Sequence, residues 1–147
     1  MPRPYLRFGA TLLASLIAMF LISLEQIRSV DHFYLNASNF YISLTGIGAM
    51  GLIMFGTMRG MFKDSRLNIV TVGVLAAVLV GGFLLARTET FVGDKGFLES
   101  MIPHHSRAVL VCQESDLTDP EIIELCGNIV ESQTREINQM KQILERY

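Results

Sequence analysis

The chain has 147 residues, of which 50% are hydrophobic and 18% are charged, and its formal net charge is −2. This composition is too apolar for an ordinary soluble domain of this length, and the lack of a basic excess argues against nucleic acid as a partner. Apolar residues lie mostly before Arg87, whereas charged residues become frequent after it. The sequence therefore predicts a membrane part followed by a polar part.

Three stretches without Lys, Arg, Asp or Glu are long enough to cross a bilayer, which needs about 20 apolar residues. They run from about Phe8 to Leu24, from about Phe40 to Met58 and from about Leu67 to Ala86. A cleaved signal peptide is the alternative for the first stretch, but no convincing cleavage site precedes Glu25. We predict a three-helix transmembrane region within residues 1–87.

Basic residues near the span ends predict the orientation, because cytoplasmic loops are enriched in Lys and Arg. They occur before the first span and between the second and third spans, as Arg3, Arg7, Arg59, Lys63 and Arg66. The loop between the first and second spans has only Arg28, offset by Glu25 and Asp31. We expect an inner (cytoplasmic) membrane protein with its N-terminus inside, its helices in membrane lipid and its C-terminal part extracytoplasmic.

Four methionines of the second span follow one another at intervals of four, four and three residues, which predicts a single helical face: Met50, Met54, Met58 and Met61. Their thioethers suit Cu(I), and flexible methionines also fill irregular helix contacts. The structural interpretation is favoured. Gly56 and Gly60 form a small-xxx-small pair, which predicts close helix packing.

After a linker at residues 88–93, residues 94–147 predict two antiparallel helices. Asp94 can cap a helix that reaches about Ser115, and Pro120 suits the first turn of a second helix after Thr118 or Asp119. The predicted inner stripe of the first helix contains Phe97, Met101, Ala108 and Cys112. That of the second contains Ile122, Cys126, Ile129, Gln133, Ile137, Met140 and Leu144.

The segment MIPHHSRAVLVC interrupts this amphipathic pattern with a proline and two histidines. Folding the hairpin near residue 117 brings six side chains to one level: Met101, His104, His105, Gln133, Glu136 and Met140. Pro103 either bends the helix just before the histidines or marks where it begins. A single histidine on such a face is usually a satisfied polar group, but imidazole with thioether selects copper. On the residues alone, the metal and structural interpretations are balanced.

The segments FLESMIPHHSRAVLVC and DPEIIELCGNIVESQTREINQMKQIL resemble the family called domain of unknown function 305. The matching residues are Met101, Ile102, His104 and His105, then Gln133, Glu136, Ile137 and Met140. The resemblance implies a ferritin-like helical bundle, often exported, with copper binding or copper tolerance in some members. The chain departs from many members in having three membrane spans and one hairpin where longer members have two. Cys112 and Cys126 are not part of the pattern.

One hairpin is too small to bury a complete apolar stripe, so we expect an all-α homodimer in which two hairpins form a four-helix bundle. The two cysteines have three interpretations. They form a disulfide in an oxidising compartment, they bind a soft metal, or they are small buried hydrophobes. The last interpretation is favoured.

These patterns predict a membrane-anchored extracytoplasmic metal-binding protein, with copper as the ion and storage, buffering or tolerance as the role. The predicted ligands are His104, His105, Met101 and Met140; Glu136 and Gln133 would orient them, and Cys112 and Cys126 are alternative ligands. Copper-handling proteins are the expected partners. The alternative is a structural module that dimerises without metal. We do not expect an enzyme, because the chain has no Glu-x-x-His pair, phosphate-binding loop or serine nucleophile elbow.

Overall fold

The structure is a computed structural model that describes residues 3–147, and this part of the chain contains five α-helices and no strand. The α-helices are α1 (Arg3–Ile22), α2 (Ala37–Thr57), α3 (Ser65–Thr88), α4 (Asp94–Glu114) and α5 (Pro120–Leu144). Short 3₁₀ helices lie at Val30–His32 and Arg59–Met61. The predicted all-α class is therefore confirmed.

The described residues form two compact units. The first contains the described residues up to Ser23 together with Ser38–Thr90, and the second contains Leu24–Ala37 and Phe91–Tyr147. The sequence analysis had counted residues 24–37 with the membrane part. The structure instead groups this interspan loop with the C-terminal helices, because Arg28 and His32 of the loop form hydrogen bonds with Ser106 of α4.

The three predicted spans correspond to α1, α2 and α3, which have 20, 21 and 24 residues and are apolar enough to cross a membrane. Helix α1 begins at Arg3, before the apolar run, because charged residues do not interrupt a helical backbone. Helix α3 begins after Asp64, whose side chain accepts hydrogen bonds from the backbone N–H groups of Arg66 and Leu67.

Close contact between α2 and α3 occurs at glycines other than those predicted. A Cβ atom added at Gly48 would lie 2.6 Å from the backbone N of Leu79, and one added at Gly82 would lie 2.8 Å from the backbone N of Thr45. Added Cβ atoms at Gly56 and Gly60 would meet nothing within 4 Å. The prediction of close packing at Gly56 and Gly60 was therefore wrong.

An aromatic cluster forms the core of the first unit, with Phe8, Phe55, Phe62 and Leu75 buried. Met54 and Met58 pack against it, which is the structural role favoured for the methionines. The four methionines do not share one helical face, because α2 ends at Thr57, before Met58 and Met61. That part of the prediction was wrong, and Met61 is 51% exposed.

Helices α4 and α5 form the predicted hairpin. The side chain of Asp119 caps α5 by accepting hydrogen bonds from the N–H groups of Glu121 and Ile122, and Pro120 is in the first turn. Gly93, rather than Asp94, is the N-cap of α4. Pro103 lies inside α4, which runs without a break from Asp94, so a helix beginning near Pro103 was the wrong alternative.

The buried face of α4 differs from the predicted stripe. Leu98, Ile102 and Val109 are buried with Ile137 and Met140 of α5, whereas Phe97 is 53% exposed. Ile122, at the beginning of α5, is also exposed. The prediction assumed that α4 packs only against α5. The interspan loop also packs against α4 through its short helix Val30–His32.

Candidate functional site

His105 and Glu136 meet across the hairpin, as the predicted common level required. The Nδ1 atom of His105 lies 3.1 Å from a carboxylate oxygen of Glu136, and the histidine side chain is 13% exposed. Nδ1 is buried and makes no hydrogen bond of acceptable geometry. The pair is therefore a close polar contact in which the ring nitrogen and the carboxylate are not aligned as donor and acceptor.

Burial lowers the pKa of His105 below its ordinary value of 6.5, because desolvation penalises the imidazolium. The Glu136 carboxylate opposes this by raising the pKa, and His104 adds a smaller lowering effect. His105 is therefore neutral at pH 7, which is the state in which imidazole binds a metal ion.

The other predicted ligands lie in different surroundings. His104 is exposed, and its ring centroid is 5.9 Å from that of His105. Met140 is buried in the hydrophobic core between α4 and α5, and Met101 packs against the same core. Gln133 is half-buried. The structure thus joins His105 to Glu136 and places His104 beside them, while both thioethers contribute to the core.

Within residues 3–147, no group of three or more His, Cys, Asp or Glu side chains is arranged to hold a metal ion. A complete site would therefore need thioethers or donors from a second copy. The His105–Glu136 pair does fit one part of a metal site, because metal-binding histidines usually direct their other ring nitrogen at a carboxylate or carbonyl.

Cys112 and Cys126 are joined in a disulfide with a Cα–Cα distance of 5.3 Å. The disulfide alternative is thus confirmed, and the favoured interpretation of two independent hydrophobes was wrong. Paired sulfurs are not thiolates, so they are not available as alternative ligands while the bond is intact. The sequence analysis put both cysteines on the inner stripes of the hairpin, which is compatible with all three interpretations.

A second polar cluster, which the sequence analysis missed, joins the interspan loop to α4. The backbone N–H of Arg28 donates to Ser106 Oγ at 2.7 Å, and His32 Nδ1 lies 2.8 Å from the same oxygen. Ser106 is fully buried. The other ring nitrogen of His32, Nε2, lies 3.7 Å from the Asp31 carboxylate.

Asp31 extends this cluster to α5 through an ion pair with Lys141. Hydrogen bonds from Lys141 and Ser29 hold the pKa of Asp31 well below its usual range, and the same pair raises the pKa of Lys141. Burial lowers the pKa of His32, although Asp31 opposes the effect. With Ser106 fully buried, this Asp–His–Ser arrangement and Lys141 connect the interspan loop, α4 and α5.

One signal for this cluster was present in the sequence. Ser106 occupies the position between Ile102 and Val109 on an apolar helical stripe, with spacings of four and three residues. A serine buried there needs a partner, because an unpaired buried hydroxyl is costly. The sequence did not reveal that the partners lie in a loop more than 70 residues earlier.

The chain is thus an all-helical protein with three helices apolar enough to cross a membrane and a disulfide-linked hairpin. Residues 84–144 match the family described as "Domain of unknown function (DUF305)". This match confirms the resemblance that the sequence motifs predicted.

An uncharacterized protein of Acanthamoeba polyphaga mimivirus is 29% identical over 136 residues, which cover 90% of this chain and 88% of the viral protein. The similarity therefore includes the apolar helices as well as the hairpin. No solved structure matches the chain.

Proposed function

We propose that the protein is a membrane-anchored, extracytoplasmic copper-binding protein that acts in storage, buffering or tolerance. The observation that supports this proposal is the buried imidazole of His105 with a carboxylate oxygen of Glu136 3.1 Å from its Nδ1 atom. The proposed role is binding, without catalysis.

The contact with Glu136 favours the His105 tautomer that has its proton on Nδ1. A small rotation of the ring would turn the close approach into an N–H···O hydrogen bond, and the lone pair of Nε2 would then be free for a metal. Glu136 is thus an orienting residue in this proposal. When bound, copper would add a charge that favours the neutral, oriented ring.

The remaining ligands are His104 and the two thioethers. His104 is exposed beside His105, so its imidazole is accessible to an ion or to a second chain. Met101 and Met140 lie in the core of the same hairpin. Imidazole and thioether donors together suit copper. A homodimer with a four-helix bundle would bring two such sets together, and a monomer by light scattering in mild detergent would contradict the dimer.

The disulfide supports the extracytoplasmic location of the hairpin, because disulfides form and persist in oxidising compartments. The basic residues around α1 and between α2 and α3 support the same orientation by the positive-inside rule. Together they favour insertion in a cytoplasmic membrane with the N-terminus inside.

Competition for Cu(I) against a chromophoric chelator, with the full chain in detergent, tests the proposal. The double variant His104→Ala, His105→Ala should lose binding, and Glu136→Gln should weaken it roughly 10- to 100-fold. His32→Ala is the matched control, because it removes a histidine from the other cluster and should retain wild-type affinity. Wild-type affinity in the double variant would refute the proposed ligands.

A structural module that dimerises without metal is the second candidate. It is favoured by Met140, which is only 8% exposed and already serves the hydrophobic core. This alternative predicts that copper changes neither the melting temperature nor the oligomer. A ligand at a hundredfold excess over its Kd would add about 2.7 kcal/mol of stability, so thermal unfolding distinguishes the two candidates.

A further inference from the structure

A basic cavity of about 810 Å³ lies where α1 and α3 begin in the first unit. Its lining includes Tyr5, Lys63 and Arg66. The Tyr5 hydroxyl donates to Asn68 Oδ1 at 2.6 Å and lies 3.2 Å from both the backbone N and O of Asp64. These hydrogen bonds hold the Tyr5 ring, which lines the cavity, against the beginning of α3.

The charges of this cavity favour an anion. Lys63 and Arg66 supply two cations, while the carboxylate of Asp64 also lines the cavity. That carboxylate is engaged as the cap of α3, where it accepts from the N–H groups of Arg66 and Leu67 at 2.9 and 3.1 Å. The positive N-terminal end of the α3 dipole also offsets the negative charge of Asp64, so the cavity is positive overall.

A second cavity, of about 450 Å³, lies along α3 beside the end of α2. Its lining is mainly apolar, with Phe55, Ile69, Val72 and Gly73, and Arg59 also borders it. Gly73 has nothing within 4 Å of an added Cβ, so the cavity is open at this level. Asn68, which also lines it, holds the Tyr5 hydroxyl of the basic cavity.

We propose that these two cavities bind one anionic phospholipid, with its phosphate between Lys63 and Arg66 and part of an acyl chain against Ile69, Val72 and Gly73. Gly73 lies eight residues after Ser65, which corresponds to roughly 12 Å along the helix axis, the distance from a headgroup into the upper acyl region. A free phosphate would use only the basic cavity, whereas a lipid uses both. The proposal requires α3 to span a membrane and is independent of copper.

Native mass spectrometry of the full chain, released from nanodiscs of phosphatidylcholine and phosphatidylglycerol, tests the headgroup site. The wild-type chain should retain phosphatidylglycerol in preference to phosphatidylcholine. The variant Lys63→Gln, Arg66→Gln should reduce this preference roughly 30-fold. Arg87→Gln, which removes a cation at the other end of α3, is the matched control and should leave the preference unchanged.

A glycine pair tests the acyl-chain site, because both residues lie on α3 and both have open space around an added Cβ. Gly73→Leu would fill the apolar cavity and should lower phosphatidylglycerol retention, whereas Gly81→Leu should not. No preference for phosphatidylglycerol in the wild-type chain, or equal losses in test and control variants, would overturn the proposal. Full displacement of the lipid by inorganic phosphate would also overturn it, because it would show a site for a soluble anion.

Discussion

The Nδ1 atom of His32 lies 2.8 Å from Ser106 Oγ, although 74 residues separate the two in the chain. The same oxygen accepts the backbone N–H of Arg28, so one buried hydroxyl satisfies two groups of the interspan loop. The unit that contains the candidate metal ligands is therefore built from three segments. The loop that connects two apolar helices is a structural part of the hairpin.

Replacement of Ser106 by alanine is expected to destabilise the protein by roughly 1–3 kcal/mol, because the change leaves the Arg28 N–H and His32 Nδ1 without their shared partner. Thermal unfolding of the full chain in detergent measures the effect. Ser100→Ala is the control on the same helix, since the Ser100 hydroxyl donates to the Phe97 carbonyl one turn earlier. Equal melting temperatures for the two variants would contradict the role given to Ser106.

The Cys112–Cys126 disulfide is expected to stabilise the hairpin by about 3 kcal/mol, the value for a closed loop of about 15 residues in the chain-entropy treatment. Alkylation of the purified protein should reveal thiols only after reduction. A reductant should lower the melting temperature of the wild-type chain. It should leave the variant Cys112→Ala, Cys126→Ala unchanged, and a thiol titre of two without reductant would show that the bond is absent.

The stability of the second unit is expected to fall as the pH decreases below 6.5. Burial lowers the pKa of both His32 and His105 below the ordinary value of 6.5. The unfolded chain then binds protons at a higher pH than the folded chain, so protonation favours unfolding. Above pH 6.5 the two neutral imidazoles make their full contribution to the free energy of unfolding. This contribution is lost as the pH falls from 6.5 toward the pKa values of the folded chain.

Denaturant unfolding above and below pH 6.5 measures this dependence. His32→Gln and His105→Gln should each reduce the slope of stability against pH, and the double variant should reduce it further. The charged groups that face these rings are retained in all three variants: Arg28, Asp31 and Lys141 around His32, and His104 and Glu136 around His105. A double variant with the wild-type slope would refute the assignment.

Gly48→Ala is expected to destabilise the first unit by roughly 1–3 kcal/mol, because its methyl group would press against the backbone of Leu79 and force α2 and α3 apart. Gly56→Ala is the control, since the same methyl group would meet nothing within 4 Å. Thermal unfolding in detergent compares the two variants. If Gly56→Ala were the more harmful change, the close approach at Gly48 would be incorrect.

The pattern of the chain predicted most helices because their signals are local. The three apolar runs and the Asp119 cap with Pro120 follow from patterns within single helices, and the level shared by His105 and Glu136 follows from folding the hairpin near residue 117. The three apolar helices begin two to five residues before the predicted spans, because backbone hydrogen bonding does not require apolar side chains, and α1 and α2 end one or two residues before the predicted ends. No local signal in the sequence predicts that α2 ends at Thr57, so the predicted methionine face was extended to Met58 and Met61.

The glycine contacts show why tertiary packing could not be predicted. Gly48 and Gly56 are both small residues on one apolar helix, and either suits a close approach. Which of them meets α3 depends on the rotation of two helices about their axes, and no local signal fixes that rotation in a helix that is apolar on all sides. The rotation is decided by the packed neighbours.

The sequence by itself determined the helical class, the three apolar spans, the hairpin and the family that residues 84–144 match, because periodicity, capping and motif spacing are properties of neighbouring residues. Only the tertiary structure decided that the interspan loop covers α4, that Ser106 is paired with His32, and that the two cysteines are bonded. The loop contacts join residues more than 70 positions apart, so no local pattern reveals them. The disulfide depends on the two sulfurs meeting across the hairpin, which the spacing of the cysteines permits without requiring it.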